Sequence, residues 1–206
     1  MYNYEREEKL SLIWAIFLSM IFALAFYANN KSLESIKSAE VVIEQSDSEL
    51  SNKEIIIDYI KSVNSNISTN IAENLSSAII VQKRKYGIPI PLQLGLITVE
   101  SRFDQYALSS SGALGFWQVM PSWHIDKVRT MMHNNEIVSR NLYDPLTNSS
   151  LGAKILSDCM KWNHHNLEKS LLCYNGSQHD RKRLYARKVI EATYKAKNFI
   201  EKQKDI

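Results

Sequence analysis

Glu100 closes an apolar run at residues 92–100, LQLGLITVE. Leu96 and Ile97 stand one helical turn behind it, so its carboxyl is expected to sit among apolar neighbours. Such surroundings disfavour the ionised form and raise the pKa, which is the shift that a general acid working near neutral pH needs. A turn of small residues follows, Ser109 to Gly115, where main chain and short hydroxyls can approach a ligand closely. Phe116, Trp117 and Gln118 come next. Aromatic faces beside an amide suit a sugar, which is apolar on one side and hydroxyl-studded at its rim. Taken singly these signals are weak. A lone Glu is usually a surface charge, and a lone Trp is more often core than platform.

The elements that must position these groups read as helices. A helical stripe starts near Ile67 and runs through Ile71, Leu75, Ala78 and Ile79 to about Tyr86-Gly87. Pro89 and Pro91 interrupt it, and residues 92–100 form the next helix, although their β-branched content also permits a strand. Asp144-Pro145 is a helix start, with Asp capping free amides and Pro at the first helical position. That helix runs to about Trp162, with Gly152, Ile155, Leu156 and Cys159 on one face. The last helix, about residues 181–202, carries Tyr185, Val189, Ala192, Ala196 and Phe199 as a stripe for docking on the domain. Its many Lys and Arg residues read as a solvated outer face.

Upstream, residues 10–28 (LSLIWAIFLSMIFALAFYA) hold no charge, Pro or Gly. Nineteen residues at helical rise span roughly 28 Å, close to the hydrocarbon thickness of a bilayer. The preferred reading is a transmembrane anchor behind a short cytoplasmic stretch, residues 1–9. A cleavable signal peptide is the competing one, with Ala23-Leu24-Ala25 as its small-residue site. Either way the remainder is exported. Residues 29–66 are polar and read as a stalk, within which residues 53–63 (KEIIIDYIKSV) could form a short amphipathic helix; the folded domain is placed at residues 67–206. A net charge of +3 among 206 residues is too mild to argue for nucleic acid. With 6 Gly and 4 Pro, an all-β fold dense in tight turns is disfavoured.

The ordered combination says more than its parts. Glu100-Ser101 is followed by Ala107, Ser109, Gly112-Ala113, Gly115 and Gln118, and Val119-Met120-Pro121 closes the string. Asp144-Pro145, Asn148 and Gly152-Ala153 follow, then Cys173-Tyr174-Asn175-Gly176, and then Tyr185 four residues before Val189. Tyr86-Gly87-Ile88-Pro89 leads in. In content and order this resembles the catalytic region of the soluble lytic transglycosylase (SLT) family, glycoside hydrolase family 23, related in fold to goose-type lysozyme. The resemblance covers about residues 70–200. Phe116-Trp117 stands where the family has Leu-Met, Cys173 where it has Ala, and Gly176-Ser177 where it has Ala-Gly.

The resemblance implies a mainly α, lysozyme-like helical domain and an enzyme cutting the bond between N-acetylmuramic acid and N-acetylglucosamine in peptidoglycan without water, here tethered by the membrane anchor read from residues 10–28. Glu100 would act as acid and then as base. By the same carry-over Tyr174 would orient Glu100 or the substrate acetamido group, and Ser109, Gln118 and Met120 would line subsites together with Trp117. Ser101 and Asn175 would either touch substrate or serve structure, Ser101 by fixing the turn and Asn175 by capping a helix end. The partners are glycan strands and the membrane, with the domain on the wall side of the inner membrane and no nucleic acid. No cofactor is implied, and the His and Cys residues form no metal-ligand spacing. Cys159 and Cys173 either pair in an oxidising compartment or stand as small buried thiols. Two rivals remain: a true hydrolase on the same fold, needing Asp104 or Asp126 as a base for water, and a non-catalytic wall-binding assembly protein.

Overall fold

The computed structural model describes residue 31 and residues 53–124, 126, 139–177 and 183–204. The proposed anchor, residues 10–28, lies outside them, as does most of the proposed stalk. No helix among the described residues is long and apolar enough to cross a membrane.

The domain is mainly helical, and among the described residues extended pairing is limited to isolated bridges from Leu114 to Leu108 and Val119. Residues 53–63 form α1. Ile56, Tyr59 and Ile60 of α1 are buried in the common core, and α1 falls in the compact unit Ser51–Ile206. The amphipathic segment assigned to the stalk is therefore part of the domain, which begins upstream of Ile67. Its apolar face is covered by Phe103 and Phe199, whose rings meet Tyr59 edge-on at 6.1 and 5.4 Å.

Helix α2, Thr69–Tyr86, starts where the Ser68 hydroxyl accepts the Ile71 amide and stops at Gly87, whose φ of 69° suits the left-handed cap. Lys83, Arg84 and Lys85 occupy its last turn, where the helix dipole favours cations. Helix α3, Ile90–Glu100, follows Pro89. Every residue from Leu92 to Ile97 is buried, which is why this segment lacks an amphipathic period and reads equally as a strand. It is a helix enclosed by other helices. Gly95 permits a close approach: a Cβ there would stand 2.5 Å from the Thr193 nitrogen of the last helix. Gln93 turns its amide to the Ile79 and Ile88 carbonyls at 3.1 and 2.9 Å, tying α2 and the connection that follows it to α3.

A 3-10 turn at Ser139–Tyr143 precedes α4, Pro145–Trp162. Asp144 caps α4 through the Thr147 amide at 2.8 Å, as the Asp-Pro pair implies. The face holding Gly152, Ile155, Leu156 and Cys159 is buried. Helix α5, Leu167–Asn175, is capped by Asn166 and ends at Gly176. Helix α6, Leu184–Lys204, buries Ala186, Val189, Ala192 and Ala196, with Tyr185 and Phe199 packed at the rim of the same stripe. Cys159 and Cys173 form a disulfide with a Cα separation of 5.8 Å, joining α4 to α5 just before Tyr174.

Candidate active site

Glu100 is the last residue of α3. The turn behind it is held from several directions. The Ser101 hydroxyl donates to the Phe116 carbonyl at 2.9 Å. Arg102 and Phe103 have positive φ, 51° and 60°, a conformation that costs free energy for bulky side chains and persists only when surroundings impose it. Here the Phe103 ring is fully buried and its carbonyl accepts from Asn64 at 2.9 Å.

Facing Glu100 is the loop of residues 107–120, and its anchor is Asn148. The Asn148 amide donates to the Leu114 and Leu142 carbonyls at 2.9 and 2.8 Å, while its oxygen accepts the Trp117 amide at 2.8 Å. Gly115 lies directly beneath, where a Cβ would stand 2.6 Å from Asn148 Nδ2. Trp117 is fully buried. Its Nε1 donates to Ser149 at 3.2 Å, and its side chain leans on Gly152, where a Cβ would be 2.5 Å from the Trp117 Cβ. The loop tip is closed by the Ala113 amide donating to the Ser109 hydroxyl at 3.0 Å. Gln118 donates to the Ala107 and Gly115 carbonyls at 3.1 and 3.0 Å.

Between helix end and loop lies a groove of about 280 Å³. Glu100, Ser109, Ser111, Gln118, Met120, Trp123, His124, Ile155, Tyr174 and Asn175 are among its lining residues. The Tyr185 hydroxyl, from the first turn of α6, donates to Glu100 Oε1. Tyr174 donates to the Trp117 carbonyl at 2.7 Å. Burial pushes the Glu100 carboxyl from the ordinary 4.5 up to about 7, against the Tyr185 hydrogen bond, which lowers it. Burial also raises both phenols well above their usual range, and the nearby Glu100 charge adds to this. Both phenols therefore remain protonated donors at neutral pH, while Glu100 is poised to exchange a proton.

Residues 77–196 match the family model of the transglycosylase SLT domain. The chain belongs to that family. Within 74 residues it is 38% identical to membrane-bound lytic murein transglycosylase C of Haemophilus influenzae (strain PittEE), covering 35% of this chain and 21% of that one. The protein of the same name from Salmonella arizonae is 37% identical over 75 residues, covering 36% and 21%. The chain thus spans about a fifth of the length of these relatives. Among solved structures, an inactive mutant of the lytic transglycosylase Slt from Pseudomonas aeruginosa superimposes with a TM-score of 0.53 at 18% identity, over 61% of this chain and 24% of that one. That likeness is one of fold.

The SLT domain of this chain gathers Glu100, Ser109, Gln118, Met120, Tyr174 and Asn175 around one groove. It does not place Trp117 there. That indole is a core side chain with no surface to offer a sugar, because α4 carries Gly152 and Ser149 to receive it. Ser101 also lies off the groove, fixing the turn below Glu100. Asn175 faces the groove, and the cap of its helix is Gly176. The phenol that donates to Glu100 is that of Tyr185, whereas the Tyr174 hydroxyl donates to the Trp117 carbonyl. Tyr185 was legible as part of the closing Tyr-x-x-x-Val motif, but its place on a docking stripe concealed a polar end reaching back 85 positions along the chain. Trp123 and His124 had no motif to mark them.

Proposed function

We propose that the protein is a lytic transglycosylase cutting the β-1,4 bond between N-acetylmuramic acid and N-acetylglucosamine in peptidoglycan. The observation that carries this reading is a single carboxyl with a pKa of about 7 in a groove whose other described lining residues include no carboxylate. Protonated Glu100 donates to the glycosidic oxygen as that bond breaks. Positive charge develops at C1, where the substrate's own N-acetyl oxygen stabilises it. Ionised Glu100 then takes the proton of the same sugar's C6 hydroxyl, whose oxygen closes on C1 to give a 1,6-anhydro end. One group serves both steps only if its two forms are close in free energy at working pH, as a pKa of about 7 makes them. Tyr185 donates to the ionised form, and Tyr174 braces the Trp117 carbonyl that precedes Gln118. The anchor reading of residues 10–28 and the wall-side placement of the domain belong to the same proposal.

A hydrolase instead needs a second carboxylate to activate water. Asp104 is exposed, accepts the Tyr106 amide at 2.9 Å and lines a different hollow. Asp126 is exposed and is not among the residues lining the groove of Glu100. Mass spectrometry of digested sacculi tests the choice. Muropeptides lighter by one water, with anhydro ends, are expected; reducing ends would replace the proposal with a lysozyme, and sacculi bound without any release would favour the assembly-protein reading.

Tyr185→Phe separates positioning from packing. Losing a hydrogen bond to a charged group costs ~1.5–3 kcal/mol, so the alkaline limb of the kcat/KM profile is expected to move up by roughly one to two pH units. Activity at pH 7 should fall about tenfold or more, because the base form is no longer supported. An unmoved limb would show that the phenol only fills space.

A further inference from the structure

We infer that Trp123 is a sugar-stacking platform, holding one pyranose ring of an N-acetylated glycan in the groove beside Glu100. The inference rests on the glycan-cleaving reading and adds to it the subsite that grips the strand. Trp123 lines the same groove as Glu100, yet 64% of it is exposed. Trp117, six positions earlier, is fully buried. An open indole face at the edge of a concave site that mixes apolar side chains with hydroxyls and an amide has the make-up that a sugar contact needs.

The ring is held by an edge. Its six-membered side rests against Gly176, where a Cβ would stand 2.8 Å from Trp123 Cζ3 and 3.2 Å from Cη2. Gly176 also has a φ of 72° as the cap of α5, so the position excludes side chains twice over. The motif Cys173-Tyr174-Asn175-Gly176 carries Gly where the family string has Ala, and Trp123 occupies the space this opens. A ring seated in this way loses little freedom on binding. The hydroxyls of Ser109 and Ser111 and the amide of Asn175 line the same groove. They can meet sugar hydroxyls and the N-acetyl group while the apolar face of the pyranose lies on the indole. Trp162 is more exposed still, at 80%, but ends α4 away from the groove. It provides a control for non-specific aromatic contact.

The test uses the full 206-residue chain carrying Glu100→Gln to prevent turnover, with chitotetraose, the β-1,4 tetramer of N-acetylglucosamine, as probe in calorimetry. Adding Trp123→Ala is expected to weaken binding about tenfold, Trp123→Phe to retain most of it, and Trp162→Ala to change nothing. With Glu100 restored, Trp123→Ala should raise KM on sacculi while kcat stays nearly constant. The platform is overturned if chitotetraose fails to bind, if it binds equally well without Trp123, or if Trp162→Ala weakens it as much. Trp123-dependent binding by a protein that releases nothing from sacculi would leave the platform standing and remove the transglycosylase reading. Anhydro products with Trp123-independent binding would do the reverse.

Discussion

Glu100→Gln is expected to stop glycan release from sacculi, by about a thousandfold or more, while making the folded protein more stable at alkaline pH. Both effects follow from the same burial. The native carboxyl holds its proton up to about pH 7, and its ordinary value is 4.5. Between those values the folded state binds more protons than the unfolded state, so wild-type stability falls as pH rises through this window and levels off above it. Glutamine carries no charge and escapes that penalty. The shift corresponds to ~3 kcal/mol at most; because the groove admits solvent, ~2 kcal/mol above pH 7 is a fairer figure. Thermal melts of both proteins should coincide near pH 4 and separate progressively towards pH 8. A variant keeping near-wild-type release would remove Glu100 from the chemistry, and melts that never separate would mean that its carboxyl is well hydrated.

The second large effect is expected at Asn148, which touches no substrate. Asn148→Ala removes two donors and one acceptor from a fully buried site; it strands the Trp117 amide and the Leu142 carbonyl and leaves the Leu114 carbonyl with the Val119 amide alone. Each unsatisfied buried group costs ~1–3 kcal/mol, and partial relaxation brings the sum to about 3–5 kcal/mol. For a domain of this size that lowers Tm by roughly 10 °C or more. Asn148→Asp should fare little better, since a carboxylate cannot donate to the Leu114 and Leu142 carbonyls. The loop carrying Gln118 and Met120 should loosen first, so hydrogen exchange at residues 107–120 is expected to quicken before the global transition. A loss below ~1 kcal/mol would show that the loop is held by other means.

Much of the scaffold was written locally. Asp144-Pro145 starts α4 because a carboxylate can cap free amides and Pro suits the first turn, and Gly87 ends α2 because it accepts a left-handed φ. The buried stripes of α4 and α6 follow a helical period visible in the residues themselves. The carboxyl of Glu100 was equally legible, because an acid that closes a mostly apolar run is carried by its own helix into the surroundings of Leu96 and Ile97.

What tertiary structure decided concerns faces without a local period and polar ends without a local partner. Residues 92–97 are buried on every side, so only the helices enclosing them distinguish helix from strand. Trp117 could serve either a core or a sugar until Gly152 and Ser149 of α4 claimed it. Residues 53–63 carry an apolar stripe suited to a stalk helix or a domain helix, and Phe103 and Phe199 make them the latter. Cys159 finds Cys173 across the junction of α4 and α5, and Tyr185 reaches Glu100 from a helix 85 positions away. A sequence records which groups each stretch offers and at what spacing along its own axis. Which distant stretch will cover a face or answer a hydroxyl is set by how the helices stack, and that information belongs to no single segment.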